Sequence, residues 1–106
     1  MRKSNGRTKS AAAMTTVELP SDCRVAWLEG IREQLVTSLK MATVKLDAAS
    51  VEKIDTAGVQ LLAAFQRDAR EGGCEVTWVS PSSVLRDAVQ RLGLTNVLAL
   101  PAVTPA

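Results

Sequence analysis

The 106-residue chain contains no histidine and no tyrosine, and its aromatic residues are one phenylalanine and two tryptophans. Without histidine, the Ser-His and Cys-His pairs of hydrolytic enzymes are excluded. A zinc site would have to combine Cys23 and Cys74, far apart in sequence, with carboxylates, so no metal is expected. No Gly-x-x-x-x-Gly-Lys loop follows a strand-like run, which removes a Walker-type nucleotide site, and no cofactor is expected. No apolar run approaches the ~20 residues that a bilayer span requires, so direct membrane insertion is not expected. The two cysteines form no Cys-x-x-Cys pair and read as free thiols of a cytoplasmic protein.

Charge is distributed unevenly. Arg2, Lys3, Arg7 and Lys9 stand in the first ten residues with no acid, while the remaining nine bases face eleven acids. The folded part is therefore slightly acidic, although the whole chain is slightly basic. Four bases without aromatics make a weak nucleic-acid footprint, so no nucleic-acid partner is expected. Residues 1–13 are polar, basic and small, and disorder is expected there. Ala11-Ala12-Ala13-Met14 is too short for a secretory h-region, and Met14 is a candidate start of translation. The remaining length suits one domain, over 14–100, with 101–106 as a C-terminal tail.

Along that domain the apolar period alternates between two and 3.6 residues. Thr15-Thr16-Val17-Glu18-Leu19 is β-prone and is closed by the turn cluster Pro20-Ser21-Asp22. Leu28, Ile31, Leu35, Val36 and Leu39 share a helical face over roughly Val25 to Leu39, with Ser21 or Asp22 as N-cap and Trp27 covering an edge of the sheet. Val44, Leu46 and Ala48 alternate with Thr43, Lys45 and Asp47, which is strand periodicity. A second helix follows from Ala57 to Glu71, closed by Gly72-Gly73. Glu75 to Val79 is a further strand. Ser80 then serves as a cap and Pro81 as the first residue of a third helix, which Gly93 closes. The segment Leu94–Leu100 is apolar and fits strand or helix. Alternating strands and helices predict an α/β domain, a mostly parallel sheet of four to five strands covered by helices.

The switch from one period to the other falls at Asp55-Thr56, two residues that both cap helix N-termini. Asp47 and Asp55 offer two carboxylates near one strand end, but such acids are more often caps, and no catalysis is expected. Thr56 is a hydroxyl at the start of a helix, either a simple N-terminal residue or a phosphoacceptor. A phosphate there would add about −1.5 to −2 charge, which a helix N-terminus tolerates. Gly58 in the first turn implies a close approach, either of the protein's own backbone or of a partner. Val59 and Ala63, with Gln60 and Arg67 as a polar rim, form a candidate apolar patch beside Thr56, unless Val59 packs inward.

Ile54-Asp55-Thr56-Ala57-Gly58-Val59-Gln60-Leu61-Leu62 resembles the signature of STAS domains, the fold of bacterial anti-sigma factor antagonists. The resemblance continues through Gly72-Gly73, the strand around Val76, Ser80-Pro81-Ser82 and Leu92-Gly93-Leu94, and spans Met14 to Leu100. It implies a regulatory module that is not an enzyme. Such a module binds an anti-sigma factor or serine-threonine kinase through Asp55, Thr56, Ala57, Gly58, Val59, Gln60, Ala63 and Arg67, with Thr56 at the position that the kinase phosphorylates. The same residues are similar to STAS subunits of bacterial phospholipid-transport ABC complexes, where this helix docks on the ATPase, and STAS proteins also accompany chemotaxis components.

Overall fold

The alternating segments and helical stripes of the sequence become five strands and four α-helices in a computed structural model, which describes residues 13–100. In chain order these are β1 (Met14–Glu18), β2 (Asp22–Cys23), α1 (Leu28–Ser38), β3 (Thr43–Asp47), β4 (Lys53–Ile54), α2 (Thr56–Glu71), β5 (Glu75–Val79), α3 (Ser83–Arg91) and α4 (Thr95–Leu98). The expected N-terminal extension and C-terminal tail lie outside the described residues, apart from Ala13.

The fold is α/β, as expected, but its strands do not form one sheet. β1, β3 and β5 make a three-stranded sheet in that order, while β2 and β4 pair separately over two residues. Every described pairing is parallel. The division follows from Pro20, which interrupts the chain after β1 and offers no backbone donor to continue a ladder. The order β1–β3–β5 is built by two successive crossovers, and right-handed crossovers put α1 and α2 on the same face.

Register fixes what that face carries. Thr15 and Val17 pair with Val44 and Leu46, which pair with Val76 and Trp78. This face meets the helices, and Val17, Val44, Leu46 and Trp78 are buried. Ile31 and Leu35 of α1, and Val59, Leu62, Phe65 and Ala69 of α2, complete the layer. The opposite face carries Thr16, Glu18, Lys45, Asp47 and Thr77, and the described helices leave it open to solvent. A parallel sheet covered on one side only is unusual. It explains why these strands alternate apolar and polar residues and do not read as continuous apolar runs.

Helix ends differ from the expectation in informative ways. α1 begins through a 3-10 turn at Val25–Trp27, and neither N-cap position makes a side-chain cap. Asp22 instead sits in β2, and its carboxylate accepts from the Arg24 N–H at 3.1 Å. Val36, expected on the apolar face of α1, is exposed, and so is Trp27, expected to cover an edge of the sheet. At α3 the cap is Ser82, not Ser80, with the Leu85 N–H donating to Ser82 Oγ at 3.1 Å. The end of α2 does follow the sequence. Gly73 takes a left-handed φ of 78°, and the Cys74 N–H reaches back to the Ala69 carbonyl at 2.8 Å, a closure that glycine permits without strain. Leu94–Leu100 resolves into the single turn of α4, pinned by the Trp78 Nε1–H donating to the Leu98 carbonyl at 2.9 Å.

Candidate functional site

The N-terminus of α2 is held from two sides. Asp55 has extended backbone angles and is the N-cap: its Oδ1 accepts from the Gly58 N–H at 2.9 Å. Its Oδ2 accepts from the Val25 N–H, also at 2.9 Å, thirty residues upstream. One carboxylate thus joins the start of α2 to the turn that leads into α1. The Val25 amide, then the Gly58 amide, with the Arg24 charge in addition, hold the Asp55 carboxyl below its ordinary value of 3.8. Asp55 is fully engaged as a clamp, and Asp47 is engaged locally, accepting from the Ala49 N–H at 3.1 Å. These two acids are a cap and a turn residue.

The β2–β4 pair aligns the same region. Asp22 pairs with Lys53 and Cys23 with Ile54, and the Ser21 carbonyl accepts from the Glu52 and Lys53 N–H groups, each at 2.9 Å. This brings the Cys23 carbonyl against the first turn of α2. A β-carbon on residue 58 would overlap that oxygen and come within 2.8 Å of Ile54 Cγ1. Gly58 therefore answers a close approach of the protein's own backbone, and it is buried. Asp22 is held to about 2, first by its side-chain hydrogen bond with Arg24, whose Nε and Nη2 donate at 2.9 and 2.8 Å. The Cys23 thiol is pushed up to about 11, chiefly by burial. Cys23 and Cys74 are separate, buried free cysteines.

Thr56 is the first residue of α2 and is exposed. Its neighbours on the exposed face of the helix are Ala57, Gln60, Ala64 and Arg67. The expected apolar patch is corrected here. Val59 is 0% and Ala63 5% exposed, so both face the interior, and the small residue on the outer stripe is Ala64. At about 100° per residue Thr56, Arg67 and Gln60 fall within about 40° of one another, and Ala63 lies only about 20° to the inner side of Thr56, so the edge of the buried face, which Val59 and Leu62 continue, runs directly beside the threonine. Of the eight expected contact residues, Thr56, Gln60 and Arg67 lie on the surface, Asp55 and Ala57 are half-buried, and Gly58, Val59 and Ala63 are buried.

Sequence reasoning missed the other wall. A cleft of about 300 Å³ is lined by Ile54, Asp55 and Thr56 on one side and by Ala88, Arg91 and Leu92 on the other. α3 thereby supplies a cation and an exposed apolar side chain beside the threonine. Val25, on the far side of Asp55, is 67% exposed. The signal that could have found Arg91 and Leu92 was weak: both sit at the helix end just before Gly93, where a base suits the helix dipole and attracts no further notice. Among the described residues there is no group of His, Cys, Asp and Glu able to hold a metal ion, and no helix is long and apolar enough to cross a membrane.

Comparison with known proteins adds a family match and several structural likenesses. The profile of the family described as "Mlab, STAS domain" matches residues 7–101. The unphosphorylated form of the anti-sigma factor antagonist SpoIIAA is structurally similar, with a TM-score of 0.67, 19% identity, and coverage of 91% of this chain and 85% of that one. The phosphorylated form of SpoIIAA, the Bacillus cell fate determinant, gives a TM-score of 0.65 at 19% identity, covering 91% and 88%. SLC26A9 gives 0.71 at 16% identity over 84% of this chain. The chain spans only 17% of the length of SLC26A9. At these identities the likeness is one of fold. No curated protein matches the sequence.

Proposed function

Because this chain belongs to the STAS domain family, we propose that it is a protein-binding module whose docking surface is the exposed start of α2. The observation that carries this reading is the contrast between Asp55 and Thr56. Asp55 spends both carboxylate oxygens on backbone amides, whereas the next residue is exposed at the helix start. The cap is thus made without Thr56, and a group added to its hydroxyl meets solvent and not the core. Thr56, Gln60 and Arg67 of α2, with Leu92 and Arg91 across the cleft, are the contact residues. Asp55 and Gly58 position them.

In this reading the partner is an anti-sigma factor or serine-threonine kinase, the protein is a cytoplasmic regulator, and Thr56 is the phosphoacceptor. The partner supplies ATP: the Thr56 hydroxyl oxygen takes the γ-phosphoryl group and loses its proton, and ADP leaves. The dianion costs the fold little at a helix N-terminus. A partner docked over Thr56 would instead have to desolvate it, at the cost of a buried unpaired charge. That SpoIIAA exists in an unphosphorylated and a phosphorylated form supports the analogy. A second reading, a permanent contact to an ABC ATPase, is favoured by the apolar exposure of Val25 and Leu92, which a switch does not require.

Affinity purification from the native host, with wild type, Thr56→Ala and Thr56→Glu as baits, separates them. Recovery of a kinase by wild type and Thr56→Ala but not by Thr56→Glu, with phosphothreonine at 56, is the expected result. An ABC ATPase retained by wild type with residue 56 unmodified would overturn the switch.

A further inference from the structure

Thr56 and Arg91 line one cleft of about 300 Å³, whose remaining walls are Ile54, Asp55, Ala88 and Leu92. They reach it from opposite ends of two helices. Thr56 is the first residue of α2 and Arg91 the last of α3, and α3 packs against β4, the strand that leads into α2. The positive end of one helix dipole and a full positive charge thus converge on the same hollow. The wall between them is partly apolar, with Ile54 and Ala88 half-buried. Charges in such a setting are screened less than on an open surface.

Arg91 is committed to no acid. Asp87, one turn earlier on α3, lines an adjoining cavity with it, but no ion pair joins the two; the ion pair among the described residues is that of Arg24 with Asp22. Asp55, the acid inside the cleft, has both oxygens on backbone amides. The other cations near Thr56 are placed elsewhere. Arg24 is held by Asp22 through Nε and Nη2. Lys53 lies beside Asp22 in the β2–β4 pair and does not line the cleft. Arg67 is three turns along α2, about 16 Å of helix away.

We propose that Arg91 is the internal receptor of a phosphate on Thr56, its guanidinium closing over the cleft and donating to two of the phosphate oxygens. This rests on the reading of Thr56 as phosphoacceptor and says what the modified site does. The planar fork of an arginine matches phosphate oxygens in pairs. A dianion also outcompetes the single charge of Asp87 for it. The switch then has two parts. Modification places a charge where a partner docks, and it withdraws Arg91, a contact residue of the unmodified surface. A partner that uses an acidic side chain to reach Arg91 loses that cation to the protein's own phosphate.

The test is a phosphorus NMR titration of the full chain carrying phosphothreonine at 56, installed during translation so that neither kinase nor partner is needed. The second phosphate ionisation, ordinarily at about 6, is expected about one pH unit lower with Arg91 than in Arg91→Gln, because a nearby cation favours the dianion. Arg91→Lys keeps the charge without the fork and falls between the two. A second readout needs no substitution: the Arg91 Nε–H signal moves downfield when residue 56 is phosphorylated. Equal ionisation with Arg91 and in Arg91→Gln would overturn the proposal and leave the phosphate to the helix start alone. An Nε–H signal that phosphorylation does not move would overturn it as well. The phosphoacceptor reading fails separately, in the affinity purification, if the native protein carries no phosphate at Thr56.

Discussion

The carbonyl oxygen of Cys23 occupies the space that a β-carbon on residue 58 would need. Gly58→Ala gains about 0.5–1 kcal/mol of helix propensity, but it must push a backbone oxygen that the β2–β4 pair holds in place. Overpacking of this kind costs about 1–3 kcal/mol. The net expectation is a lower midpoint in urea with an unchanged slope. A midpoint equal to or above wild type would mean that the β2 segment yields freely.

Asp55→Ala removes the cap of α2 and its tie to Val25 in one step. Loss of melting temperature by several degrees is expected, together with faster amide exchange at Gly58 and Val25. Asp55→Ser separates the two roles, because one hydroxyl can still accept from Gly58 but not also span to Val25. Its exchange should rise at Val25 alone.

Acid sensitivity follows from Asp22 and Asp55. Both carboxyls lie below 3.8 in the folded protein, Asp22 at about 2. A depressed folded value contributes stability that is complete above the unfolded value and is lost as pH falls through the folded one. Stability should therefore decline from about pH 3.8 downward. In Asp22→Asn with Asp55→Asn that part of the acid limb flattens, as a melting series from pH 5 to pH 2 would record.

Thr56→Glu should leave the melting temperature within a few degrees of wild type, because an anion in the first turn gains about 0.3–1 kcal/mol from the helix dipole and Thr56 is exposed. On the proposed switch, the same variant loses the partner. A Thr56→Glu protein that unfolds would make any loss of binding uninformative about a switch and place Thr56 in the structural frame.

Trp78→Phe keeps the ring in the core but leaves the Leu98 carbonyl without its indole donor. A buried acceptor left unsatisfied costs about 1–3 kcal/mol. The loss should concentrate in α4, seen as faster exchange at Leu98 and Ala99, whose amides close that turn.

Local chemistry decided which of these features could be read from sequence. Val44, Leu46 and Ala48 announced β3 because one face of that strand is buried and the other open. Asp55 announced α2 because a cap acts within three residues. The β2–β4 pair was invisible, since two residues show no period, and its partners are set by the path of the chain around Pro20. Gly58 marked a close approach without naming what approached. Val59 and Ala63 were assigned outward because the buried stripe of α2 was drawn too narrow: α2 meets β5, α1 and α3 together, and its buried arc is correspondingly wide. Arg91 and Leu92 reach the cleft only through the packing of α3 beside β4, which no local pattern encodes.

The platform under Thr56 is assembled from the Asp55 carboxylate and main-chain atoms: the amides of Val25 and Gly58 that it accepts from, and the carbonyls of Ser21 and Cys23. Side chains at 23 and 25 take no part in those contacts. The residues that ring the threonine can therefore change while the hydroxyl itself stays where it is. On the proposed docking reading, selectivity is free to diverge without renegotiating the scaffold.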